Sequence, residues 1–210
     1  MRKMFLFIVC ACLIILVGRR LYNNNSSSDI FTYEKNPAKR VVLQRNRTYT
    51  VLSDSEKLSS GFYDVSEISS KEFFLGNEHL NRKDVINNQA FYNTNKVQTP
   101  KNSSVHLTPS KEKYLPIEED RSIRLKNTYG HFFIPDSING EYKLEIVGEG
   151  KVFCQIQDIN ETTGFINNVL DGFVFDDATD VVKTLEADTI ISFFKKSGKE
   201  DVVIAISPIT

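Results

Sequence analysis

The run Gly140-Glu141-Tyr142-Lys143-Leu144-Glu145-Ile146-Val147 alternates between apolar and charged residues. Tyr142, Leu144 and Ile146 point one way; Glu141, Lys143 and Glu145 point the other. A strand with one face buried demands this period of two. Lys151 to Gln157 repeats it, with Val152, Cys154 and Ile156 on one face. The short, flexible Gly148-Glu149-Gly150 between them predicts a hairpin. Asp188 to Lys195 and Asp201 to Ser207 are further β-branched, apolar runs, with Ser197-Gly198 between them as a turn. Phe165 to Leu170 reads as a strand or a helical turn. No amphipathic helix of useful length interrupts this pattern, so the body of the chain is expected to be all-β.

The start of the chain obeys a different rule. Arg2 and Lys3 precede the uninterrupted apolar run from Met4 to Gly18, and Arg19 and Arg20 close it. A basic start before an apolar stretch of this length is the pattern of a secretory signal. Flanking arginines that snorkel, with Leu21 and Tyr22 extending the run, let it span a bilayer. Three fates compete: cleavage, lipidation at a cysteine, and retention as a signal anchor. Val17 to Tyr22 offers no convincing small-residue cleavage site. A lipidation cut at Cys12 would fall inside the apolar run. A retained transmembrane helix over residues 1–20 is therefore expected, contacting the membrane through residues 4–18. Arg2 and Lys3 favour a cytoplasmic amino terminus, while Arg19 and Arg20 pull the other way. A single-pass protein with its C-terminal region extracytoplasmic is the expected arrangement.

Residues 21–46 begin with Asn23-Asn24-Asn25-Ser26-Ser27-Ser28, a polar stretch with too little apolar surface to order itself. Directly after a membrane segment it reads as a stalk. Beyond it the chain repeats itself. Thr48-Tyr49 recurs as Thr128-Tyr129, Gly61-Phe62-Tyr63 as Gly140-Glu141-Tyr142, Phe74 as Phe153, and Ile86-Asn87-Asn88 as Ile166-Asn167-Asn168, at offsets of roughly eighty residues. This predicts two tandem small antiparallel β-sandwich-like modules over residues 47–118 and 119–210, divided at Leu115 to Asp120. The first is expected to be degenerate or partly loop, because residues 76–110 are polar and punctuated by Pro100 and Pro109.

The second copy resembles the small Gly-x-Tyr β-sandwich modules of anchored Gram-positive surface proteins and lipoproteins. The matching residues are Ile138-Asn139-Gly140-Glu141-Tyr142-Lys143, Ile166-Asn167-Asn168 and Leu185 to Phe194. Ile138-Asn139-Gly140 stands where that family has Pro-Ala-Gly. The resemblance covers Arg121 to Thr210 well and Thr48 to Ile117 poorly. It implies a surface accessory or binding module and brings no catalytic residues with it.

The residues themselves carry little chemistry. A formal charge of −1 excludes the basic excess of a nucleic-acid binder. The charge is uneven, however: from Arg121 on there are 9 basic and 14 acidic residues, a net of −5, whereas residues 21–120 balance. His79, His106 and His131 lie far apart and show no metal-ligand spacing. Ser59-Ser60-Gly61 and Ser197-Gly198 are turn sequences without a partner for a nucleophile. Cys154 sits on an apolar strand face, where a thiol is inert. Lys195-Lys196-Ser197-Gly198-Lys199 lacks the glycine spacing of a phosphate loop and reads as a charged turn. One cluster stands out: Asp171, Asp176, Asp177 and Asp180 surround Gly172-Phe173-Val174-Phe175. Such carboxylates offer the hard oxygen ligands that Ca²⁺ takes, and no other cofactor is expected. Two alternatives remain: an acid–base pair, and a solvated loop that keeps a β protein soluble and blunts its edges. The function expected is non-enzymatic, either binding or supporting an envelope or protein partner. A membrane-tethered enzyme acting on envelope polymers and an accessory subunit of a membrane complex are the alternatives.

Overall fold

A computed structural model describes residues 31–52, 56–67, 72–75, 78–159 and 166–209. Among the described residues the chain is all-β and contains no helix. The strands are, in order, β1 (Val41–Leu43), β2 (Thr48–Thr50), β3 (Gly61–Glu67), β4 (Glu72–Leu75), β5 (Glu78–Asn81), β6 (Val85–Phe91), β7 (Lys96–Gln98) and β8 (Val105–Pro109). After the connection around Leu115 come β9 (Ile123–Lys126), β10 (Thr128–Phe133), β11 (Gly140–Val147), β12 (Gly150–Ile159), β13 (Ile166–Asp176), β14 (Val181–Leu185), β15 (Thr189–Gly198) and β16 (Val203–Pro208).

Two orders of pairing describe the molecule. In the first half β1, β8, β3 and β6 lie side by side, and β2 pairs with β7 and β4 with β5. In the second half β9, β16, β11 and β14 lie side by side, and β10 pairs with β15 and β12 with β13. The second set is the first with every strand number raised by eight. One ladder is added: β15 also pairs with β12, giving the order β10-β15-β12-β13. The halves join where β6 runs parallel to β10, Tyr129 opposite Ile86 and Gly130 opposite Asn87. An eight-stranded sheet results, with β1 at one edge and β13 at the other.

The alternation of residues 140–157 survives in the structure, but the hairpin does not. Tyr142, Leu144, Val152 and Cys154 are all buried in one core. Yet β11 pairs with β14 and β16, and β12 with β13 and β15, so the connection passes from one sheet to the other. Period two fixes which face is buried, and two buried faces meet equally well across a core as beside each other in a ladder. Gly148, with φ of 106°, takes the turn between the sheets. Residues 166–170 belong to β13 and form no helical turn.

Three of the four repeated sequence pairs fall on equivalent strands: Thr48 on β2 and Thr128 on β10, Gly61 on β3 and Gly140 on β11, Phe74 on β4 and Phe153 on β12. The fourth does not. Ile86 lies on β6, whose counterpart is β14, while Ile166 opens β13. The polar stretch 76–110 also departs from expectation, since β6, β7 and β8 lie within it. Several of its polar side chains, among them Asn88 and Thr99, are buried and hydrogen-bonded. Asn88 donates to Glu112 O and His131 O, both at 2.7 Å, and the Thr99 hydroxyl donates to Gln44 O at 2.8 Å. Hydrogen bonding substitutes here for apolar content.

Residues 1–30 lie outside the described part, and with them the run Met4 to Gly18 and the Asn/Ser stretch. Among the described residues no helix is long and apolar enough to cross a membrane. Residues 31–46, read as the end of the stalk, are packed against the body. Phe31 and Leu43 are buried, and β1 pairs with β8. The Asn36 amide donates to Phe62 O and accepts from Phe62 N, at 2.9 and 3.0 Å, as a neighbouring strand would. The apolar side chains after the Asn/Ser run account for this ordering.

Candidate functional site: a cleft between two edge strands

β13 ends the eight-stranded sheet and β14 ends the four-stranded one. The turn between them is built by Asp176, whose carboxylate accepts from the Thr179 hydroxyl at 2.7 Å and the Ala178 amide at 3.1 Å. Those bonds hold its carboxyl below the usual range. Beyond the turn the two strands diverge into different sheets, and a cleft of about 370 Å³ opens between them.

Ile156, Leu170 and Val182 supply the apolar part of the cleft lining. Leu170 is the extra residue of a bulge, since Ile156 faces Asp171 while Gln157 faces Val169. Bulges re-aim side chains at sheet edges, and this one leaves Leu170 58% exposed at the mouth. Across the cleft Lys183 Nζ lies 2.7 Å from Asp171 Oδ2 and 4.4 Å from the centroid of the Phe173 ring. The Lys183 ammonium holds the Asp171 carboxyl below its ordinary value. Glu141, Thr184, Glu186 and Thr189 complete the lining.

The four aspartates singled out in the sequence therefore serve separate ends. Asp171 lies in the cleft with Lys183, Asp176 shapes the turn, and Asp180 pairs with Lys143 at 3.0 Å. Asp177 is exposed on the turn. Among the described residues no three His, Cys, Asp or Glu side chains are gathered as a metal ion would need.

The remaining candidates divide in the same way. His106 Nε2 accepts from Arg40 Nε at 2.9 Å, and the side chain of His79 is outside the described part. His131 Nδ1 lies 2.7 Å from Ser192 Oγ, a contact the sequence reading missed because the two are cross-strand neighbours 61 residues apart. The Ser192 hydroxyl donates to Gln157 Oε1 at 2.7 Å. Nδ1 must then be the donor toward Ser192, so it is not a base waiting for the serine proton. Ser192 is also fully buried, out of reach of any substrate. Burial lowers the His131 pKa to about 4 and raises that of the Cys154 thiol. Both groups belong to the packing of the sheet.

Lys195 is the largest departure from the sequence reading. It is fully buried, not part of a solvated turn, and its Nζ lies 2.6 Å from Asp84 Oδ2. The signal was present in the alternation, which places residue 195 on the same face as Ile191 and Phe193. No protein-family model, curated protein or solved structure matches this chain.

Proposed function

We propose that this chain is a membrane-anchored, extracytoplasmic binding protein built from two copies of one jelly-roll-like β module. The order β9-β16-β11-β14 over β10-β15-β12-β13 is that of a two-sheet jelly roll, and the first half repeats its pairings except the ladder between β15 and β12. Two copies of one strand plan, with three repeated sequence pairs on equivalent strands, support a tandem duplication. The anchor rests on Met4 to Gly18 and its flanking basic residues, and the resemblance to Gram-positive surface modules supports an outward-facing body.

The observation that carries the binding role is the cleft between β13 and β14. It is concave, apolar at Leu170 and Val182, and edged by a few charged groups, as binding sites are. The test places a photo-crosslinking side chain at residue 170 in one protein and at the exposed position 42 in another, in intact cells. A partner captured from position 170 and not from position 42 supports the reading. Capture from neither, or the same products from both, removes it. Protease removal of a C-terminal tag from intact cells tests the orientation: protection until lysis places the body inside.

A further inference from the structure

Resting on the cleft as the binding site, we infer that its occupant is an extended peptide that adds as a strand beside β14 and carries basic side chains. The two edge strands are not alike. β13 is guarded: a bulge at Leu170 breaks its ladder, and Asp171 is an inward-turned charge, two devices that keep foreign strands away. β14 has neither a bulge nor a proline. It keeps an unbroken register with β11 from Leu185 opposite Gly140 to Val181 opposite Leu144. Its one lysine, Lys183, is committed to Asp171. Val182, 52% exposed, is left on an edge that a further strand can extend.

Charge and shape set the composition of that strand. Alternate side chains of an added strand would enter the cleft, where Ile156 and Leu170 offer an apolar wall. The others would lie over its rim, alongside Val182 and Thr184. Glu141 stands opposite Thr184 on the neighbouring strand, and Glu186 follows the end of β14. Among the described residues neither carboxylate has an ion pair. A lysine or arginine suits this face, laying its stem over Val182 and its head toward the two glutamates. The net charge of −5 beyond residue 120 draws the same class of partner.

The test uses the full chain and three fluorescent peptides, alternating lysine with valine, glutamate with valine, and lysine with proline, read by anisotropy. The lysine–valine peptide is expected to bind best, and added salt to weaken it. Glu141→Lys with Glu186→Lys should lower its affinity by roughly tenfold or more and favour the glutamate peptide instead. Leu170→Asp, a change on an exposed side chain, should weaken every peptide that binds. Equal binding of the lysine–proline peptide overturns strand addition, because proline cannot supply the edge hydrogen bonds. Binding that Leu170→Asp abolishes but charge reversal leaves unchanged overturns the basic specificity and keeps the cleft. Binding indifferent to all the substitutions, or no binding, overturns both the inference and the cleft. Self-association lost on Leu170→Asp makes a second copy of the chain the occupant, and the inference fails.

Discussion

Lys195 and Asp84, 111 residues apart, meet at 2.6 Å with neither side chain exposed, and so tie the second half of the molecule to the first. Lys195 also donates to Lys199 O at 3.2 Å. Asp84 accepts from the Asn81 amide at 2.6 Å, and the Asn81 side chain donates to Gly198 O at 3.1 Å. Burial pushes the Asp84 carboxyl upward, against these bonds. Removing one partner of a buried pair strands the other charge, at a cost of about 3–5 kcal/mol. Lys195→Met alone should therefore destabilise strongly in urea titrations. Lys195→Met with Asp84→Asn, which keeps an acceptor for Asn81, should recover most of the loss. A double variant as unstable as the single would show that the charge itself is required.

The same pair marks the limit of what the sequence makes legible. Alternation identified β11, β12, β15 and β16, and it placed Cys154 in the core correctly. Alternation is blind to which strand lies alongside, so the arch at Gly148 looked like a hairpin. The repeat was visible through Thr48, Gly61 and Phe74 because the residue types at those strand positions recur. Ile86 matched Ile166 only in letters. A subtler signal was available in Asn46 and Asn127. Each precedes the second strand of its half with φ near 50°, at 54° and 51°, and each amide donates to a carbonyl ahead of the last strand of its half, Pro100 O and Val202 O. The cleft had no sequence signature, because its walls come from strands whose divergence is a property of the two sheets. The aspartates drew attention by their proximity in sequence, and the fold then sent them to different partners.

Gly130 sits on the parallel seam between the halves with φ of 103°. A Cβ there would lie 2.0 Å from Asn87 O, a backbone atom that cannot swing aside. Gly130→Ala should cost at least about 2 kcal/mol. Hydrogen exchange should show the loss first in the amides of β6 and β10. Unchanged protection there would mean that the seam does not depend on this approach.

Tyr63 and Tyr142 occupy equivalent places on β3 and β11, both buried. Each directs its hydroxyl to the residue two before the first strand of its half. Tyr63 OH accepts from the Lys39 amide at 3.3 Å and donates to Ser59 O at 2.9 Å. Among the described residues Tyr142 OH meets only the tip of Arg121, at 3.4 Å. Tyr63→Phe should cost about 1–2 kcal/mol and Tyr142→Phe less than about 0.5 kcal/mol. Thermal melts of the two variants side by side decide it. Equal losses would mean that the hydroxyls matter through something other than these bonds.

His131 gives the fold a dependence on acid. Its pKa is about 4 in the folded chain, lowered by burial, against the ordinary 6.5 when unfolded. Between those values the unfolded chain binds the extra proton, so stability rises with pH across the window. The contribution is complete above pH 6.5 and is lost as the pH falls toward 4. It amounts to at most about 3 kcal/mol, and less in so far as water reaches the half-buried ring. Asp64 and Asp84 act in the opposite sense, because burial raises their carboxyls in the folded state. The comparison must therefore be between wild type and His131→Gln, measured by urea unfolding at a series of pH values. The difference between the two curves should change across this window and be flat on either side of it. Parallel curves throughout would remove His131 as a source of acid sensitivity and leave it to carboxylates that the fold holds low, such as Asp171 and Asp176.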